Sequence, residues 1–231
     1  MRAAGLRLLQ GWCVVGLRSR EMRRRGAPGG TAEELRAQVP EDEEESWRPE
    51  LARHSEAHAQ LEALDPLAIS RLYECPEGVN EAAWQYQHIR NFTVELSALA
   101  VSLNDVCTRF TCPQMKATDE WMYLCAAHKQ PQECSAIDYI IHTLDGSAAL
   151  LNSNKWFPKG LPVPETSLKY FQSIARRLYR ILSHCFFHHR ELFDEFEEKC
   201  HLCLRFVSFA KTFDLIPPKL LIVPEDGFVS A

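Results

Sequence analysis

Apolar residues recur at helical spacing in four separate segments of this chain, and few folds satisfy four such stripes at once. From Asn80 to Leu103, Ile89, Phe92, Leu96, Leu99 and Leu103 fall at offsets 0, 3, 7, 10 and 14, the spacing of one buried helical face. Between Ser135 and Leu151 the pattern returns in Ile141, Leu144, Ala148 and Leu151, and Ser135 followed by Asp138 is a helix-start signal. A third stripe, Leu168, Phe171, Ala175, Leu178, Leu182 and Cys185, predicts a helix over 167–188. In a fourth helix Phe193, Phe196, Cys200, Cys203, Val207 and Ala210 hold the same spacing until Pro217-Pro218 ends it. Runs alternating with period 2 are scarce, so the fold class is mainly α, a bundle in which each helix buries one face. Pro158, Gly160, Pro162 and Pro164 make residues 155–164 a loop with room for a short β-hairpin.

A chain of 231 residues, 46% apolar and 25% charged, can bury one sizeable core with residues left over for a tail. Residues 26–50 combine Gly and Pro with the acidic run Glu41 to Glu45, which cannot build a core. The expected boundaries are an extension over 1–50, a helical domain over 51–224 and a tail over 225–231. A short amphipathic stretch, Leu51 to Leu72, leads into Cys75-Pro-Glu-Gly, whose Pro and Gly mark a turn. Arg2, Arg7, Arg18, Arg20 and Arg23 to Arg25 surround the apolar stretch Leu6 to Leu17, and no acid precedes Glu21. That pattern fits either a targeting segment or a disordered extension. No run approaches the ~20 apolar residues of a membrane span, so a soluble or at most surface-associated chain is expected. A net charge of -5 gives no general attraction for nucleic acid. Nine cysteines, an odd number, do not resemble a disulfide framework and favour a reducing compartment. The sequon Asn91-Phe-Thr93 would matter only after secretion.

Cys107-Thr-Arg-Phe-Thr-Cys112 follows the first helix, and His184-Cys-Phe-Phe-His-His189 closes the third. Two thiolates and two imidazoles suit tetrahedral zinc, and a shell of four protein ligands leaves no position for water, so such a zinc is structural. The ion would tie a loop to a helix end distant in sequence. On a regular helix His184 and His188 lie about 40° apart and His184 and His189 about 140° apart, so His189 needs the helix to end or distort there. The ordinary alternative is a set of hydrogen-bonded imidazoles beside free thiols. Cys200-His-Leu-Cys203 sits on an apolar stripe, where thiols act as small hydrophobes, and Cys125 with Cys134 lacks tight spacing. Both pairs are expected to be ordinary buried or free thiols.

On the third helix Lys169, Arg176 and Arg180 project within about 20° of one another, with Arg177 beside them. Arginine forks can hold phosphate oxygens bidentately, so a phosphoserine or phosphothreonine segment is a candidate ligand, against the alternative of a solvated charged face. No Gly-rich phosphate loop, nucleophile elbow or metalloprotease motif occurs, and Cys185 falls on the packed stripe beside its histidines. No catalytic residue is expected.

Cys107-x4-Cys112-Pro-Gln-Met, Arg176-Arg177-Leu-Tyr-Arg180 and His184-x4-His189 together resemble the signature of the Mob family. Leu124 to Lys129, Glu133 to Asp138, His142 to Gly146, Leu151 to Lys155 and Phe187 to Arg190 resemble its phocein branch, and the likeness runs from about Tyr73 to Pro224. The resemblance implies a Mob-type helical fold with zinc on Cys107, Cys112, His184 and His189. It puts Arg176, Arg177 and Arg180 where kinase-coactivator members form a phosphopeptide pocket. It also implies a non-catalytic adaptor that joins a striatin-type scaffold to protein phosphatase and germinal-centre kinase subunits. Such a protein would be cytoplasmic, with vesicle-trafficking roles and peripheral association with Golgi or vesicle membranes. The other branch's function, a phosphopeptide-binding kinase coactivator, is the alternative. The first 60 or so residues do not share the likeness.

Overall fold

The computed structural model describes residues 69, 71–158 and 162–224. The expected extension over 1–50, the domain start at Leu51 and the tail over 225–231 lie outside the described residues. Among the described residues, Ile69 and Arg71 are helical, and the α-helices with described bounds are, in order, α1 (Glu81–Leu103), α2 (Ala136–Leu151), α3 (Lys169–His188), α4 (Arg190–Cys200) and α5 (Leu202–Thr212). Single 3-10 turns occupy Glu165–Ser167 and Pro218–Leu220. No sheet occurs among the described residues, and extended pairing is limited to two antiparallel bridges, Lys116 with Met122 and Cys125 with Gln132. The described parts of the loop over 155–164 hold no hairpin.

Local chemistry explains where the helices begin. Gly78 takes φ +78 in the turn closed by Val79 N–H donating to the Pro76 carbonyl at 3.1 Å, a position that favours glycine. Asn80 then caps α1, its Oδ1 accepting from Ala83 N at 2.9 Å. Ser135 caps α2 as its sequence suggests, with Oγ accepting from Asp138 N and donating to Asp138 Oδ2.

Helix α3 is the hub, packing against α1, α2, α4 and α5. The whole α1 stripe, Ile89 to Leu103, is buried as expected, and so are Phe171, Ala175, Leu178, Leu182 and Cys185 of α3. Leu168 is not part of that face. Pro164 leads into a 3-10 turn in which Ser167 is buried, its hydroxyl donating to the Trp156 carbonyl at 2.7 Å, and Leu168 is left 37% exposed. In α2 the buried face is rotated from the expected one: Ile137, Ile140, Leu144, Ser147 and Leu151 are buried, whereas Ile141 and Ala148 are only half-buried. Contact with both α1 and α3 widens that face and admits small polar residues to it.

The expected fourth helix is two. His201 adopts a left-handed conformation, φ 50 and ψ 43, between α4 and α5. The Glu197 carboxylate folds over the break and accepts from Cys203 N at 2.8 Å and Leu204 N at 2.9 Å, satisfying the free N–H groups of α5. The apolar stripe continues across the break because α5 is buried on most of its circumference.

Candidate metal centre

The first functional feature is made where α3 ends. Helical geometry stops at His188, and His189 sits at the junction with φ -138 and ψ 55 before α4 begins at Arg190. This swings the His189 ring around to the side of His184, and the two ring centroids lie 5.3 Å apart. Opposite them is the loop after α1, where Thr111 Oγ1 accepts from Thr108 N at 2.8 Å and donates to the Val106 carbonyl at 2.8 Å. That tight turn directs Cys107 and Cys112 inward, and both are buried.

Cys107 Sγ lies 3.5 Å from His184 Nε2, and Cys112 Sγ lies 3.4 Å from His189 Nε2. The four donor atoms all fall within 4.8 Å of one another. Bonds of about 2.3 Å to sulfur and about 2.0–2.1 Å to nitrogen at a tetrahedral centre imply S to N edges of about 3.6 Å, so the donor set fits zinc. His184 is also oriented for the task. Its Nδ1 donates to the Lys116 carbonyl at 2.6 Å, which leaves the Nε2 lone pair facing the thiols. Burial holds His184 neutral, with its pKa lowered to about 4, and also lowers that of His189. Burial and the neighbouring Cys112 push the Cys107 thiol well up. His188 stacks on His184 with ring centroids 4.7 Å apart and bonds the Ala117 backbone, and it is not one of the four clustered donors.

The four basic residues of α3 do not share one solvated flank. Arg180 is held, its Nη1 donating to Tyr139 Oη at 2.7 Å and its guanidinium lying 4.7 Å from the Tyr123 ring centre. Arg176 is half-buried and donates to Gln172 Oε1 at 3.4 Å, while its Nε has no partner among the described residues. Lys169 and Arg177 are exposed, with Lys169 5.4 Å from the Tyr170 ring.

Cys200 and Cys203 are core thiols, as expected. Cys125 and Cys134 are not ordinary ones: they converge with His128 and His142 in a second set of four potential ligands. The signal that could have found it is Cys125-x2-His128, a knuckle-like spacing, followed by Cys134 and a histidine on the next helix. No helix among the described residues is long and apolar enough to cross a membrane.

Residues 62–224 match the model of the Mob1/phocein family. The chain is 50% identical to the MOB kinase activator-like 4 of Drosophila melanogaster over 165 residues, 71% of this chain and 74% of that one. It is also 50% identical to the MOB-like protein phocein of Caenorhabditis elegans over 160 residues, covering 69% and 72%. A more distant relative is the maintenance of ploidy protein mob1 of Schizosaccharomyces pombe, 29% identical over 160 residues, 66% and 76% of the two chains.

Proposed function

The chain belongs to the Mob1/phocein family, and from that premise we propose that it is an adaptor with no activity of its own, built to present a rigid helical surface to other signalling proteins. The observation that carries this reading is the donor set at the α3–α4 junction. Cys107, Cys112, His184 and His189 would hold one zinc and fill its tetrahedral shell, so the ion supplies a cross-link and no site for an activated water. The cross-link joins the loop after α1 to α3, the helix on which the others pack. Within that loop Phe110 is 97% exposed, and Val101 and Val106 nearby are exposed as well, apolar surface of the kind that partners cover.

The partner set we propose, on the likeness to the MOB-like protein phocein of Caenorhabditis elegans, is a striatin-type scaffold with protein phosphatase and germinal-centre kinase subunits. The adaptor body would span 51–224, the rest being an N-terminal extension and a short tail. Its place would be the cytoplasm and, through those partners, the outer face of Golgi or vesicle membranes. Affinity purification of the full chain from cells, read by mass spectrometry, is expected to recover scaffold, phosphatase and kinase subunits together. Recovery of none of the three would overturn the reading. Phe110→Asp should deplete at least one of them while leaving the melting temperature unchanged.

A second reading, a phosphopeptide-binding kinase coactivator, draws support from the exposed Arg177 and the unpartnered Arg176 Nε, with Lys169 and Arg180 flanking them. It requires a salt-sensitive affinity for phosphothreonine peptides that Arg176→Ala and Arg177→Ala each weaken. A parent protein that binds no such peptide would remove it.

A further inference from the structure

The segment over 104–135, between α1 and α2, contains no helix or named strand, yet it is ordered and contributes Cys107, Cys112, Met115, Ala117 and Cys125 to the buried interior. Loops longer than about 12–15 residues without secondary structure of their own are uncommon in compact domains, so something must fix this one. Its beginning carries the two thiols facing His184 and His189. Its end carries Cys125, His128 and Cys134, and these meet His142 of α2.

Cys125 Sγ lies 3.6 Å from His142 Nδ1, Cys134 Sγ lies 3.9 Å from the same atom, and Cys134 Sγ lies 3.0 Å from His128 Nε2. These straddle the S to N edge of about 3.6 Å that a tetrahedral zinc requires. The four donor atoms are within 4.8 Å of one another, and the His128 and His142 rings stand edge to face with centroids 5.0 Å apart. The backbone is shaped for the purpose. Cys125 N donates to the Gln132 carbonyl at 2.8 Å and Gln132 N returns a bond to the Cys125 carbonyl at 3.2 Å, closing a knuckle that presents Cys125 and His128 on one side. Ser135 then starts α2, which carries His142 to the group from a rigid element.

We propose that Cys125, His128, Cys134 and His142 form a second structural zinc site, which clamps the end of the 104–135 segment to α2 as the first clamps its beginning to α3. Zinc suits the chemistry better than other common ions: two sulfurs and two imidazoles at tetrahedral edges exclude the oxygen-rich shells of Mg2+ and Ca2+. Binding forms two Zn–S and two Zn–N bonds and releases the two thiol protons to solvent, with no change of oxidation state. The two sites are joined through the backbone. Ala136 N donates to the carbonyl of Cys112 at 3.0 Å, and Met115 N donates to that of Cys134 at 3.2 Å, so a ligand of each centre is tied to the other's neighbourhood.

The proposal does not rest on the adaptor reading or on the first centre, and zinc counting separates them. Native mass spectrometry of the full chain, purified under reducing conditions, is expected to show two zinc ions in the parent. C125S/C134S should hold one, and C107S/C112S should hold the other one. Two ions retained in C125S/C134S would overturn the second site. So would a parent with a single ion that C125S/C134S keeps and C107S/C112S loses, which leaves the first site standing. A single ion lost only from C125S/C134S would do the reverse. Should that variant fail to fold, cobalt titration of the metal-stripped parent decides: thiolate-to-cobalt absorption should rise to two equivalents, and saturation at one would overturn the proposal. A Cys125–Cys134 disulfide in protein isolated without oxidant would also overturn it.

Discussion

Arg205 carries its charge into the helical core, where its side chain is 1% exposed. Its guanidinium forks onto both oxygens of Glu95 from α1, its Nε donates to the Cys200 carbonyl at 2.6 Å, and its face lies 5.7 Å from the Phe92 ring centre. Each of the three guanidinium nitrogens has an acceptor, which is the condition under which a buried pair survives its desolvation. Arg205→Met is expected to cost about 3–5 kcal/mol in urea unfolding, because Glu95 would be left buried and unpaired. Adding Glu95→Leu should recover most of that loss. Two other buried groups set opposing responses to pH. Burial lowers the pKa of His88 to about 4, with Arg205 adding to the effect, so the folded protein binds fewer protons than the unfolded chain between about 4 and 6.5. Stability from His88 is therefore present above about 6.5 and lost as pH falls towards 4. Burial raises Glu197 to about 7 despite its bonds from Leu204 and Cys203, so its contribution runs the other way, present below about 4.5 and lost as pH rises through 7. In the shared window the two slopes offset each other. His88→Leu should uncover a stability that falls from pH 4.5 to 7, by at most about 1.4 kcal/mol per pH unit. Glu197→Gln should uncover a rise over the same range. Parallel slopes for all three proteins in pH-dependent urea melts would refute the pairing.

At the scale of elements, the break between α3 and α4 decides which imidazole faces Cys112. A helix continuing through His189 would carry that ring away from His184; ending at His188 brings it back. His189→Ala is accordingly expected to lower zinc retention against a chelator by at least tenfold, whereas His188→Ala should leave the metal count unchanged and lose only its stacking on His184. Equal loss from both would mean that the junction does not select the ligand. The α1 stripe and most of the α3 stripe were legible in the sequence because apolar periodicity reports which face of a helix is buried, and Ile89, Phe92, Leu96, Leu99 and Leu103 are all buried. The same signal could not show the division between α4 and α5. Cys200 and Cys203 hold the period across His201, while the break depends on one left-handed residue and on Glu197 reaching forward to two N–H groups. Nor could it rank Ile140 above Ile141 in α2, since both are apolar and only the two neighbouring helices choose the face. The first Cys/His set was readable because each half is a local pair separated by four residues. The second gives a weaker trace: Cys125-x2-His128 is one short pair, Cys134 stands alone, and His142 on α2 joins them only through a fold shaped by the Cys125–Gln132 bridge.

Across the molecule, the helices and the 104–135 segment are held by different forces. Apolar burial around α3 needs no cofactor: Ile174, Leu178, Ile181 and Leu182 are all at most 2% exposed. The segment buries only a few apolar side chains, Met115 and Ala117 among them, and otherwise rests on short backbone bonds, surface contacts such as the 3.0 Å pair of Arg109 with Asp138, and the two sets of thiols and imidazoles. Exposed pairs of that kind contribute about 0–1 kcal/mol, too little to order so long a stretch. If metal supplies the remainder, stripping it should unfasten the segment before the helices. Amide exchange after chelation is therefore expected to lose protection first over 104–135 and at the two anchor points, His142 and the α3–α4 junction, with the middle of α1 and α3 protected longest. The melting temperature should fall as well. Structural zinc in small domains contributes on the order of 10 kcal/mol, and at about 2–4 °C per kcal/mol even a loss of about 4 kcal/mol lowers the midpoint by roughly 8–16 °C. Unchanged exchange and an unchanged melt after complete zinc removal would show that side-chain packing alone holds the segment, and the surface around Phe110 would then need no metal to keep its shape.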